Sequence, residues 1–338
     1  MKVSPSAFRR HWKALLGAGA AATLVFAIMP GASSSPDYWR QEWPNTDFSR
    51  HSIDLDEIVD VLHKDAIPAI DDPRFIPVAE ADHLADTEPV IGIGINGDFR
   101  AYPLQVLMRH EIVNDTVGGV PVAVTFCPLC NTAIVFDRRL AGRVLDFGTT
   151  GKLRYSDLIM YDRQTESWWQ QFLGEGIVGA MTGERLEIVP ARIESMARFR
   201  ARAPEGRVLA PQGGLSSRYG ENPYDYYDSQ DAPYGRFFKG KLPEDIAPLA
   251  RVVTIDEEAW SLDLVRERGT IRVGDDIVIT WEPGQNSALD TPLIRGGFDV
   301  GNVVVQKQTP DGPVDIPYGV DFAFAFHAFY PEAAIHVK

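Results

Sequence analysis

VPVAVTFCPLCNTAIVFD, residues 120–137, is the stretch on which the predicted fold depends. The apolar run at 120–126 predicts a β-strand, and the run at 133–136 predicts a second strand. Between them the sequence Cys127-Pro-Leu-Cys130 predicts a tight corner. These two are the only cysteines among the 338 residues, so any thiol chemistry of the protein lies at this corner.

Short apolar runs bounded by turn residues continue on both sides of the corner. They predict strands at 90–95, 99–102, 143–147, 158–161 and 168–172. Helical spacing of apolar residues predicts short helices at 54–63 and 104–112. Many short strands with close turns are typical of antiparallel architectures. We therefore predict a mainly β (α+β) fold with a few short helices.

The chain also carries a degenerate internal repeat. VAVTFCPLCNTA at 122–133 matches IVITWEPGQNSA at 277–288, and shorter matches lie on either side. The repeat predicts two related β units, of which the second is shorter. Cys127 becomes Glu282 in the second copy, and Cys130 becomes Gln285. The corner can therefore be built without sulfur, which argues against a purely structural purpose for the cysteines.

The first 35 residues differ from the rest of the chain. Four basic residues precede an apolar run at 14–29, and small residues follow it. This order is typical of an export signal, and the run is short for a membrane-spanning helix, which needs about 20 residues. We expect an exported, periplasmic or extracytoplasmic protein, with an uncleaved leader as membrane anchor in the alternative.

These patterns predict five segments. They are an export signal or anchor at 1–35, a lead-in with a helix at 36–87, a first β unit with the corner at 88–210, a Tyr/Gly/Pro-rich connection at 211–249 and a second β unit at 250–338.

The charge balance limits the partners. The chain has 33 Lys and Arg against 47 Asp and Glu, a formal net charge of −14. No basic run follows the leader, which argues against nucleic acid and anionic membrane surfaces as partners. Membrane contact is expected only through an uncleaved leader.

Three interpretations of the cysteines remain open. A structural disulfide would close a loop of about four residues and contribute only roughly 2 kcal/mol. A redox pair would use Cys127 as the more accessible thiolate and Cys130 as the resolving thiol, with corner amides facing sulfur. A copper or zinc site would need further ligands, for which His110 is the first candidate and His327 and Met160 follow.

Polar residues near the corner in sequence are candidates for supporting either chemistry. Glu111 and Asp115 could orient His110, while Asp157, Asp162 and Arg163 could line the site or form a buried ion network. The full set of supporting candidates is Glu111, Asn114, Asp115, Asn131, Asp157, Met160, Asp162 and Arg163.

Four segments together resemble the domain of unknown function 3179 family. They are HEIVND (110–115), VAVTFCPLCNTAIVFDR (122–138), FGTTGKLRYSDLIMYDRQTESWWQQ (147–171) and NPYDYY (222–227). The resemblance is strong across about 88–210 and fades after that. Members are mostly exported bacterial proteins, commonly labelled "(seleno)protein", which implies that selenocysteine can replace Cys127 or Cys130. Selenium at this corner implies redox or soft-metal reactivity rather than a passive disulfide.

Three functions follow from these observations. The leading prediction is thiol–disulfide redox work, as a thiol oxidoreductase with an unknown redox partner. The second is a copper or zinc binding protein that receives its ion from an unknown metal donor. The third is a non-catalytic binding module for a carbohydrate or a protein, presenting an aromatic surface made of Trp168, Trp169, Tyr224, Tyr226 and Tyr227.

Overall fold

The structure is a computed structural model that describes residues 36–212 and 218–338. The predicted export signal at 1–35 lies outside the described residues. Within them the protein is mainly β with five short α-helices, as predicted. None of the helices in the described ranges is long and apolar enough to cross a membrane.

The helices have seven residues each. They are α1 (Pro36–Glu42), α2 (Leu104–His110), α3 (Met196–Arg202), α4 (Leu262–Arg268) and α5 (Ala323–Phe329).

The strands are short, and most are antiparallel to their neighbours. In chain order they are β1 (Ile58–Asp60), β2 (Phe75–Pro77), β3 (Pro89–Ile95), β4 (Asp98–Pro103), β5 (Ile112–Val117), β6 (Val120–Cys127), β7 (Thr132–Asp137), β8 (Arg139–Leu140), β9 (Arg143–Val144), β10 (Phe147–Arg154), β11 (Asp157–Asp162), β12 (Trp168–Gln170), β13 (Glu175–Val178), β14 (Ile188–Val189), β15 (Arg192–Ser195), β16 (Arg207–Leu209), β17 (Arg251–Ile255), β18 (Glu258–Ser261), β19 (Thr270–Val273), β20 (Ile277–Glu282), β21 (Asn302–Thr309), β22 (Gly312–Asp315), β23 (Gly319–Phe322) and β24 (Ile335–His336).

These strands form five larger sheets, arranged as a propeller-like ring of five blades. Four of the sheets show the predicted internal repeat. In the first unit the sheets are β15-β3-β4-β16, extended by β2, and β5-β6-β7-β14; in the second they are β23-β17-β18-β24 and β19-β20-β21-β22. In both units one strand of the first sheet is parallel to its neighbour, β16 to β4 and β24 to β18. The two pseudo-repeated units are therefore confirmed by strand order.

The fifth sheet, β1-β10-β11-β12-β13, has no counterpart in the second unit. It is inserted between β7 and β15, and the lead-in supplies its edge strand β1, which pairs with β10. This insertion places β11 beside the cysteine corner, so the site depends on a sheet that the repeat does not explain.

Two sequence predictions are wrong in detail. Residues 54–63 do not form a helix: a single 3₁₀ turn at Leu55–Glu57 is followed by β1. Pairing with β10 and complete burial of Ile58 outweigh the weak helical spacing of this segment. The strand predicted at 143–147 is interrupted, because Arg143–Val144 forms a small ribbon with β8 before β10 begins.

One large hydrophobic core joins the two units. It includes Phe126, Cys127 and Cys130 from the first unit and Phe322 and Phe326 from the second. The corner therefore lies in the interior of the fold, where burial governs its chemistry.

Candidate functional site

The cysteine corner forms where β6 ends. Cys127 is the last residue of β6, Pro128–Cys130 makes a single 3₁₀ turn, and β7 begins at Thr132. Asn131 completes the reversal in the left-handed conformation, with φ of 54°. Its side-chain Nδ2 donates to the carbonyl of Val320 at 2.7 Å, which ties the corner to β23 of the second unit.

Both cysteines are free thiols in the interior. Cys127 is 2% exposed and Cys130 is fully buried, so both thiols are shielded from solvent and their exposure differs very little. The Sγ of Cys127 lies 3.5 Å from the carbonyl oxygen of Ser156. Burial raises the pKa of both thiols, although contact with Cys130 partly offsets this for Cys127. Thiolates are therefore disfavoured here unless a positive charge arrives.

Asp157, the first residue of β11, brings a carboxylate to the two thiols. The ligand atoms of Cys127, Cys130 and Asp157 all lie within 4.8 Å of one another. Asp157 is fully buried, and Oδ2 accepts hydrogen bonds from Gln170 Nε2 at 2.6 Å and from the Phe172 amide at 2.9 Å. Oδ1 accepts none. The carboxylate is therefore held by one oxygen, while the other has no hydrogen bond of good geometry and the nearby Cys127 thiol only lowers the pKa of the group.

The surroundings of this group are acidic. Burial raises the pKa of Asp157 to about 7, and that of Glu111 to about 8 with a contribution from Asp157. Asp321 on β23 raises the pKa of Cys130 and Asp157 further. Burial and the neighbouring acids therefore disfavour negative charge on Cys127, Cys130 and Asp157. A bound cation would offset this unfavourable energy.

Glu111 has an unusual backbone conformation for its residue type. It follows the last residue of α2 with φ of 58°, and its amide donates to the carbonyl of Leu107. In the second unit Gly269 follows α4 with φ of 66° and makes the equivalent bond. Glycine adopts this conformation without strain, whereas glutamate does not. The first unit therefore keeps a strained, buried acid beside the corner where the second unit has glycine.

His110 is not brought into the donor group. Its Nδ1 lies 2.7 Å from the carbonyl of Pro68, and its Nε2 lies 2.7 Å from the hydroxyl of Tyr219. Both ring nitrogens are thus engaged, and burial lowers the pKa of the ring. These contacts indicate a structural histidine that links α2 to the lead-in and to the connection between the units.

The other supporting candidates have structural partners. The Asn114 side chain bonds both backbone groups of Phe147, and Asp115 accepts from Arg100 and Tyr102. Asp162 accepts from Thr165 and from Trp169 Nε1, and Arg163 pairs with Asp71 at 2.6 Å. Met160 is fully buried in the core, whereas His327 is half-buried on α5 and is not a member of the cysteine–aspartate group.

The predicted aromatic surface is wrong for three of its five members. Trp168, Trp169 and Tyr227 are completely buried, and Tyr224 is half-buried. Tyr227 instead donates its hydroxyl to the carbonyl of Leu129 in the corner at 3.1 Å. Only Tyr226 of this set is well exposed, at 53%. These rings therefore pack the core rather than offer a platform to a ligand.

Sequence reasoning missed Asp321. The signal was available in the repeat, because β23 and α5 correspond to β15 and α3, and Asp321 then aligns with the buried acid Glu194. Both acids are at most 2% exposed. Asp321 raises the pKa of Cys130 and also lines a cleft to which Ala133, Ile134 and Val135 of β7 contribute.

The chain belongs to the family described as "Protein of unknown function (DUF3179)", whose model matches residues 64–333. The match extends well beyond 88–210 at both ends and covers most of both units. Comparison with curated proteins and with solved structures finds no match.

Proposed function

We propose that the corner is a metal site that binds one zinc ion or a similarly thiophilic cation through Cys127, Cys130 and Asp157. The observation that carries the proposal is the convergence within 4.8 Å of two thiols from the corner between β6 and β7 and a carboxylate from β11, a strand of another sheet. Sulfur and carboxylate ligands suit zinc, and a carboxylate suits copper(I) less well.

The electrostatics of the corner support this proposal over thiol redox chemistry. Burial and neighbouring acids raise the pKa of both thiols, so neither is activated as a nucleophile in the metal-free protein. A divalent cation would reverse this balance by binding both thiolates and the carboxylate.

The environment of Asp157 is also that of a positioned ligand. Gln170 and the Phe172 amide hold Oδ2, which leaves Oδ1 without a hydrogen bond in a fully buried location. Hydrogen bonds to the far side of a ligating carboxylate fix its orientation and are common around metal sites. Three protein ligands would leave a fourth position of a tetrahedral ion for water or a substrate.

The test is metal uptake by the full chain, purified under anaerobic reducing conditions and stripped with a chelator. We expect one zinc ion per chain in a competition titration with a chromophoric chelator. Cobalt(II) should give thiolate charge-transfer absorption in the near ultraviolet. Cys127→Ser with Cys130→Ser should abolish both signals, and Asp157→Asn should weaken zinc binding by roughly a hundredfold, because an outer ligand partner alone typically costs 10–100-fold.

Asp162→Asn is the matched control, since Asp162 is a buried acid at the other end of β11 and not a member of the donor group. It should take up zinc with the same stoichiometry. No stoichiometric uptake of zinc, cobalt or copper(I) by the wild-type protein would overturn the proposal, and so would equal uptake by the double serine variant.

Thiol–disulfide redox remains the second candidate. It is favoured by one observation: the two free thiols are separated by only two residues, and the Cys127 thiol interacts with the buried carboxyl of Asp157. A buried carboxyl of this kind can accept a thiol proton during exchange. Reversible formation of a Cys127–Cys130 disulfide in glutathione buffers, together with failure to bind metal, would favour this function.

A further inference from the structure

The two repeat units each bury an acidic residue at the same position, and only one of these acids is paired with an arginine. Glu194 of β15 and Asp321 of β23 occupy the same position, because each lies one residue before the end of its strand and a helix follows directly. Their pairings agree: Glu194 faces Val90 of β3, and Asp321 faces Val252 of β17. Differences between their surroundings therefore show how each unit compensates the charge of this acid.

In the first unit the acid is neutralised within the chain. Arg202, the last residue of α3, places Nε 2.8 Å and 3.0 Å from the two carboxylate oxygens of Glu194. Gly92 leaves room for this pair, because a Cβ there would lie 2.1 Å from Glu194 Oε1 and 2.5 Å from Arg202 Nη2. Glu194 is thus a buried charge with a complete partner.

In the second unit that partner is absent by substitution. The last residue of α5 is Phe329, at the position of Arg202, and Thr254 replaces Gly92. The hydroxyls of Thr132 and Thr254 lie close enough to Asp321 to lower its pKa, yet burial outweighs them and raises the pKa to about 6. Asp321 is 2% exposed, and its Oδ1 accepts no hydrogen bond. An unsatisfied buried carboxylate oxygen is costly unless a ligand supplies the donor.

A cleft of about 290 Å³ opens beside this carboxyl. Its walls combine aromatic and acidic residues, namely Phe172, Tyr318, Tyr330, Asp256 and Glu257, with Asp321 and Thr254 among the lining residues. Arg185 is the one basic residue among the described lining residues, and it is paired with Glu175 at 3.2 Å. Acids together with aromatic faces attract organic cations rather than anions. The volume is near the lower end of the usual range of about 300–1,000 Å³ for small-molecule sites.

We infer that this cleft binds a small alkylguanidinium or alkylammonium compound, with the cationic head on Asp321 where Arg202 meets Glu194 in the first unit. The alkyl chain lies along Phe172 and Tyr330. This site is separate from the metal site, since Asp321 is not one of the three proposed ligands, and it does not rest on the proposed function.

The experiment uses propylguanidinium as the probe and ligand-observed NMR on the full chain in a chelating buffer. We expect saturable binding to the wild-type protein and at least tenfold weaker binding to Asp321→Asn, since a hydrogen bond to a charged group is lost. Propanol, which has no charge, should bind at least tenfold more weakly than propylguanidinium. Asp256→Asn, which changes an exposed acid of the same cleft, should alter the affinity less than threefold.

A second variant tests the origin of the site. Phe329→Arg restores the residue of the first unit, and its guanidinium should compete with the probe and weaken binding at least tenfold. Absence of saturable binding to the wild-type protein would overturn the inference. Equal affinity of the wild-type and Asp321→Asn proteins would also overturn it, whatever the outcome of the metal titration.

Discussion

The buried carboxyl of Glu111 should lower the free energy of unfolding by an amount that depends on pH. An ordinary glutamate has a pKa near 4.5, and burial beside Asp157 raises that of Glu111 to about 8. Each unit of difference is worth about 1.4 kcal/mol, so at pH 7 the buried carboxyl destabilises the metal-free protein by about 3 kcal/mol.

The direction of the pKa shift of Glu111 determines how the free energy of unfolding changes with pH. A carboxyl with a raised folded-state pKa binds protons more tightly in the folded state than in the unfolded state. Its cost is therefore absent below the unfolded pKa, grows as the pH rises from 4.5 towards 8, and is constant above that. Glu111→Gln, which mimics the protonated form, should match the wild type near pH 4.5 and exceed its free energy of unfolding by about 3 kcal/mol at pH 7.

The backbone adds a second contribution that does not depend on pH. Glu111→Gly should gain about 1 kcal/mol beyond Glu111→Gln, because glycine tolerates the φ of 58°. Gly269→Ala is the matched control for this strain: φ there is 66°, and an added Cβ would meet nothing within 4 Å. It should lose about 1 kcal/mol at every pH.

Urea denaturation of the metal-free proteins between pH 4.5 and 8 measures these differences. If the advantage of Glu111→Gln changes by less than about 1 kcal/mol over this range, the carboxyl is not a buried acid of raised pKa. That result would refute the claim that the corner buries acids whose charge a bound cation would compensate.

Three further predictions concern the surroundings of the corner. In the metal-free folded protein at pH 8, both cysteines should react with iodoacetamide at least about 100-fold more slowly than in urea, measured by mass spectrometry, because burial disfavours the thiolates. His110→Phe should cost about 2 kcal/mol in thermal denaturation, since Pro68 and Tyr219 lose their partner. The same variant should bind zinc within threefold of the wild type; a hundredfold loss would make His110 a ligand. Asn131→Gly should cost about 1 kcal/mol through the lost bond to Val320, whereas Asn131→Ala should cost about 2 because it adds strain at positive φ.

Local sequence patterns were sufficient to predict the strands that form the cysteine corner. Apolar runs predicted β6 and β7, and the short runs at 90–95 and 99–102 predicted β3 and β4. The repeat was visible because equivalent residues are packed in equivalent sheets, and this constraint keeps similar residue types at a fixed spacing. The helix predicted at 54–63 does not form, because β10, a strand partner more than 80 residues away, decides the conformation of this segment.

The sequence by itself determined a mainly β protein of two related units, with its thiols confined to one corner. Only the tertiary structure decided which side chains meet there, because long-range strand pairing sets the neighbours of a buried residue. It brought Asp157 to the cysteines and turned His110 towards Pro68 and Tyr219. It also decided the chemistry, since burial raises the pKa of a thiol or carboxyl, and burial is a property of the folded chain and not of local sequence.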